Sequence, residues 1–142
     1  MNRRILFRGK NLDGKSMWAY GDLVQYPDGG MSIDTMHSDF AAESAAGQGV
    51  FRVDPDSVGQ FIGLYDENGK EIFEGDICEG YDPYWVPHPN RPDNLVYRYQ
   101  IWFDEGGFYA FDKDGDGWPV YNIDHLKVVG NWYDDERKTD PD

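Results

Sequence analysis

Turn signals break this chain before any long helix can form, and that limits its fold more than any other feature. "NLDGK" at Asn11, "PDGG" at Pro27, "DENGK" at Asp66, "EGG" at Glu105 and "DKDGDG" at Asp112 each set Gly beside Asp or Glu or close to it. Glycine supplies positive φ, and short polar side chains bond their own backbone, which is how tight turns are specified. Between the turns lie short runs rich in Tyr, Trp, Phe, Val and Ile, the residues that suit a pleated, half-buried surface. With 17 Gly and 8 Pro in 142 residues, the expected fold is mainly β, of α+β type, built from hairpins.

The strands can be placed roughly. "RRILFRG" alternates, with Ile5 and Phe7 on one face. "SMWAYGDLVQY", "MSIDTM" and "VFRVD" follow as strands. "DFAAESAAG" is the best helical stretch, with Ser38 or Asp39 as N-cap and Gly47 as stop, and a loop competes with it closely. Asp54 caps and Pro55 opens one helical turn. "LVYRYQIWFD" is the strongest strand signal, with Val96, Arg98, Gln100 and Trp102 on one face and Tyr97, Tyr99, Ile101 and Phe103 on the other. "FYAFD", "WPVYNID" and "LKVVGNWY" complete about five strands from Glu71 onward. That number and spacing suit a small closed or half-closed barrel of the SH3-like kind. The expected organisation is a β-rich N-terminal subdomain over 1–57, the barrel with its leading hairpin over 58–134, and a charged, frayed tail over 135–142. Phe7, Gly9, Gly21, Asp22 and Leu23 also align with Phe61, Gly63, Gly75, Asp76 and Ile77 at a constant offset of 54. Convergent hairpin chemistry explains that echo more cheaply than duplication.

The formal charge is −14, and it is uneven. Met1–Lys15 holds Arg3, Arg4, Arg8, Lys10 and Lys15 against Asp13 alone, a net of +4 that leaves −18 for the rest. An acidic body repels a phosphate backbone, so direct duplex DNA binding is disfavoured. Such charge serves solubility, and it also suits a basic partner or mimicry of nucleic acid. Cys78 is the single cysteine, so no intramolecular disulfide forms, and a reducing compartment fits. No apolar run reaches membrane-spanning length, and "MNRRILFRGK" lacks the apolar stretch of a secretion signal. These features point away from a membrane and toward the cytoplasm.

Few residues carry chemistry. Asn68-Gly69 marks a hairpin turn. A two-residue loop would set Asp66 opposite Glu71, whereas a three-residue loop with Gly69 left-handed sets Asp66 opposite Lys70. Like charges directly opposite destabilise, so the three-residue form is expected. Gly75-Asp76 reads as a bulge and a strand entry, with the carboxylate accepting backbone N–H bonds. A metal or acid–base role for Glu74, Asp76 and Glu79 is the lesser reading. Asp112, Asp114, Asp116 and Gly117 match the opening of a calcium-binding EF-hand loop, but its twelfth position is Ile123 rather than Glu, and its flanks read as strands. An acidic β-turn with at most weak metal affinity is expected there. His37, His88, His125 and Cys78 show no metal-ligand spacing, and Cys78 reads as a small packed side chain. "EGYDPYWVPHPNRPDN" holds Pro83, Pro87, Pro89 and Pro92 in a long loop. Tyr81, Tyr84, Trp85 and His88 on it, with Arg91, are candidate binding residues for peptides or bases, or a cover for the barrel's open end. No cofactor is implied.

"FRGK", "WAYGDLV", "VDPDSVGQFIGLYDENGKEIFEGDI" and "VVGNWYDD" together resemble the YopX family, small proteins of phages and prophages. The resemblance runs from about Ile5 to Tyr133 and is most specific over Val53–Ile77. It implies a β-rich N-terminal part followed by an SH3-like barrel, a phage or prophage origin, and hence a host cytoplasm. It supplies no catalytic residues, and homo-oligomers are compatible with it. The function expected is that of a non-enzymatic accessory module that binds a host or phage protein. The alternatives are a metal-dependent enzyme using Glu74, Asp76 and Asp116, and an acidic DNA mimic or nucleic-acid-handling protein.

Overall fold

In a computed structural model of the chain, the structure describes residues 4–13, 17–36, 47–83 and 96–137. Among the described residues it is mostly β, with two antiparallel sheets and one α-helix. The chain divides into two compact units, Met1–Gly63 and Leu64–Asp142. No helix among the described residues is long and apolar enough to cross a membrane. The helix expected over Asp39–Gly47 falls almost wholly outside the described residues.

The first unit contains β1 (Phe7–Lys10), β2 (Trp18–Gln25), β3 (Met31–Asp34), β4 (Val50–Val53) and the start of β5 (Gly59–Tyr65). Their order in the sheet is β4-β3-β2-β1-β5. Phe7 faces Gly21 and Gly9 faces Ala19, so alternate residues of β1 and β2 point to one side. There Ala19, Ile33 and Val53 form a buried cluster packed by Phe7, Leu23, Met31, Phe51 and Val58. Arg8 and Lys10 point to the other side, where both cations approach the Trp18 ring at 4.8 and 4.9 Å. Ile5 precedes β1 and is exposed, so it does not share Phe7's core face as the alternation suggested. After β4, Asp54 Oδ1 accepts the Asp56 N–H at 3.0 Å and Pro55 opens a single 3₁₀ turn to Ser57. That is the expected cap and first helical position.

In the second unit the end of β5 turns back into β6 (Glu71–Phe73). There follow β7 (Asp76–Tyr81), β8 (Val96–Asp104), β9 (Gly107–Phe111), β10 (Gly117–Pro119), β11 (Lys127–Asn131) and α1 (Trp132–Arg137). The sheet order is β10-β9-β8-β7-β11, so β10 and β11 are edges and the sheet is not a closed barrel. Tyr99 and Ile101 are buried as the alternation of β8 requires, while Tyr97 and Phe103 on the same face are exposed toward the strand's ends. Cys78 is fully buried, a packed side chain in β7.

Two expected strands end early, for local reasons. In "WPVYNID" the strand stops at Pro119, which has no N–H to offer a ladder, and Val120–Asn122 form a 3₁₀ turn. In "LKVVGNWY" the strand stops at Asn131. Its Oδ1 accepts the Asp134 N–H at 2.8 Å and its Nδ2 donates to the Asp134 carboxylate at 3.1 Å, an N-cap that launches α1. The Trp132 N–H donates to the Gly75 carbonyl at 2.7 Å, tying the helix start to the entry of β7.

Candidate functional site

The Asp66–Lys70 turn anchors the site. The Asp66 N–H donates to the Lys70 carbonyl at 2.7 Å and Gly69 has φ 81, so the loop is three residues long. Asp66 Oδ1 accepts the amides of Asn68 at 2.8 Å and Lys70 at 2.9 Å. Its Oδ2 accepts the Val128 amide at 3.0 Å, at the start of β11. The Glu67 N–H adds a bond to the Leu126 carbonyl at 2.9 Å. One carboxylate therefore organises the turn and pins it to a segment 62 residues away. Burial alone pushes the Asp66 pKa up. The amides of Val128, Lys70 and Asn68, with the Lys70 charge, outweigh that and hold it below the ordinary 3.8.

Beside this anchor lies a groove of about 330 Å³. Its buried wall is Ile72, Val120, Ile123 and Leu126. Its rim carries Tyr65, 50% exposed, and Tyr121, 75% exposed. The 3₁₀ turn after Pro119 sends Val120 inward and Tyr121 outward. Polar groups on the groove come from Glu67, Asp124 and His125. His125 Nδ1 lies 3.4 Å from Glu67 Oε2. The His125 backbone has φ 58, a left-handed conformation that costs a non-glycine residue roughly 1–2 kcal/mol. It is held by its surroundings: the Tyr81 N–H donates to the Asp124 carbonyl at 2.9 Å, and the Tyr81 ring lies 4.3 Å from the imidazole, tilted by 32°.

Of the candidate binding residues, Tyr81 stands against His125 at this groove. Tyr84, Trp85, His88 and Arg91 lie outside the described residues. Asn68 and Gly69 form the anchoring turn. Gly75 has φ 91 and donates to the Ile101 carbonyl at 2.7 Å, and Asp76, 1% exposed, accepts the Phe73 amide at 2.8 Å. Asp112 Oδ1 accepts the amides of Asp114 at 2.9 Å and Asp116 at 3.0 Å, so that carboxylate faces its own turn. Among the described residues no group of three or more His, Cys, Asp or Glu side chains is placed to hold one metal ion. Glu67, Tyr121 and His125 were not picked out by sequence reasoning as a site. His125 was weighed only for metal-ligand spacing, and its strained backbone leaves no sequence pattern.

Tyr99 underlies the opening of the long loop. Its hydroxyl donates to the Tyr81 carbonyl at 3.1 Å, and its ring is 1% exposed. Burial, then the charges of Asp82 and Asp112, push its pKa up to about 12. A raised folded-state pKa gives stability that is complete below the unfolded value near 10 and is lost as pH rises through about 12. Tyr99→Phe is therefore expected to cost about 1 kcal/mol at pH 8, from the lost hydrogen bond. The gap from wild type should close or reverse by about pH 11, because only wild type pays the ionisation penalty. Urea melts at both pH values test this, and a gap that stays constant or widens contradicts it.

A model of the YopX protein family matches residues 6–138 of this chain. Among solved structures, protein EF1440 from Enterococcus faecalis is similar over 98% of this chain and 100% of that one, with 20% identity and a TM-score of 0.50. At that identity the likeness is one of fold. No curated protein matches significantly. With the family model spanning nearly the whole length, through both units, the chain belongs to the YopX protein family.

Proposed function

We propose that this chain is a non-enzymatic interaction module of phage or prophage origin. It works in the host cytoplasm, and its second unit binds a segment of a host or phage protein in the groove beside His125. We read that unit as a half-closed barrel of the SH3-like kind. The order β10-β9-β8-β7-β11, with the last strand returning beside the first strand of the sheet, supports that reading. The observation that carries the function is the pair of exposed rings, Tyr65 and Tyr121, on the rim of an apolar-walled groove. Large apolar side chains held out in solvent around a concavity mark binding surfaces, and Tyr contributes contact area at low entropic cost.

Selection of peptides from a displayed random library on the immobilised full chain tests the proposal. Selected peptides should shift the backbone amide resonances of the groove residues. Tyr121→Ala should weaken them at least about tenfold, since truncating an aromatic side chain that a bound segment covers costs that much or more. Peptides that bind Tyr121→Ala as tightly as wild type, or that shift residues elsewhere, would overturn the groove as the binding site.

A further inference from the structure

We infer that the groove reads a cationic side chain, arginine or lysine, presented by a segment of the protein partner. This rests on the groove being the binding site, and it adds what the site recognises. Charge is the first argument. Met1–Gly63 contains six basic against eight acidic residues, and Leu64–Asp142 contains seven against nineteen. The net charges are −2 and −12, so the unit that holds the groove carries most of the chain's negative field. A field of that sign draws basic segments and repels acidic ones.

The local chemistry narrows this to one side chain. Glu67 sits on the groove with its side chain 42% exposed, and its backbone is fixed by the bond to Leu126. The 3.4 Å approach of His125 Nδ1 orients that carboxylate, and Asp124, also exposed, adds a second negative charge. Tyr65 and Tyr121 place two exposed rings on the same rim, and the π face of a tyrosine ring attracts a cation. The apolar wall of Ile72, Val120, Ile123 and Leu126 suits a methylene stem. An apolar stem ending in a cation describes lysine and arginine. About 330 Å³ is near the lower end of ligand-site sizes, roughly 300–1,000 Å³, so the groove takes one or two side chains rather than a folded surface.

The test uses blocked hexapeptide pools with randomised flanks and a fixed central residue: Arg, Lys, citrulline, Ala or Glu. Citrulline keeps the shape of arginine and removes its charge. Binding to the full-length chain is read by fluorescence polarisation at low and high salt. The Arg and Lys pools should bind about tenfold more tightly than the citrulline pool, and the preference should shrink as salt screens it. Glu67→Gln should cut the preference to about threefold or less, the remainder coming from Asp124 and the two rings, and should weaken the citrulline pool far less than the Arg pool, with a thermal melt confirming the fold. Tyr121→Ala should weaken every pool. Arg and citrulline pools of equal affinity would overturn the cation inference, and Tyr121→Ala would still decide the groove reading. A preference undiminished by Glu67→Gln would place the cation elsewhere and also overturn the inference.

Discussion

Replacing Asp66 by Ala should lower the stability of the second unit by about 3–4 kcal/mol, because three backbone amides lose their acceptor at once. Those amides belong to Asn68, Lys70 and Val128, and the carboxylate that serves them is 7% exposed. For a cooperative unit of this size the melting temperature should fall by roughly 15–25 °C. Asp66→Asn should cost less, since one oxygen still accepts, while its amide group faces a donor on one side. The pH dependence has a definite sign. The folded-state pKa of Asp66 is depressed, so its stabilisation is complete well above pH 3.8 and fades as pH falls through the folded value. The difference between wild type and Asp66→Asn should accordingly be largest near neutrality and shrink below about pH 4. Urea denaturation across that range measures it. An Asp66→Ala effect under about 1 kcal/mol would show that the contact between the turn and β11 contributes little.

What the sequence made legible was local. Three of its turn signals fold to one design. In Tyr26–Gly30, Asp66–Lys70 and Asp112–Asp116 the first N–H donates to the last carbonyl at 2.7–2.9 Å, and the fourth residue is Gly with φ between 81 and 90. Asn68-Gly69 could be read because turn chemistry acts over five residues. The Asp54–Pro55 cap was legible for the same reason. The Asn131 cap is also local, but the strand pattern of "LKVVGNWY" concealed it. The groove was not legible, because its halves are Leu64–Ile72 and Val120–Leu126, joined by the bond from the Glu67 N–H to the Leu126 carbonyl. Nothing in either segment names the other. Barrel closure was likewise beyond the strand count, since it depends on how edges β10 and β11 meet rather than on how many strands there are.

The echo at offset 54 leads to the second large effect, in the first unit. Gly21 and Gly75 occupy equivalent places in it but are glycine for different reasons. Gly75 has φ 91, whereas Gly21 has no unusual φ and is crowded. A Cβ at Gly21 would lie 2.1 Å from the Asp34 carbonyl oxygen and 2.8 Å from its carbon. The following aspartates differ too: Asp22 is exposed on β2, while Asp76 is buried. The matched letters therefore serve unlike roles. Gly21→Ala must push β2 away from the end of β3, since a backbone carbonyl cannot rotate aside as a side chain does. We expect a loss of about 3–4 kcal/mol, at the upper end for overpacking, with faster amide exchange along Leu23–Gln25 and Met31–Ile33. Gly130→Ala, where nothing lies within 4 Å of the added carbon and φ is ordinary, should stay within about 0.5 kcal/mol of wild type. If Gly21→Ala proved as mild as Gly130→Ala, β2 would have room to move that its close approach to Asp34 denies, and the glycine would need another explanation.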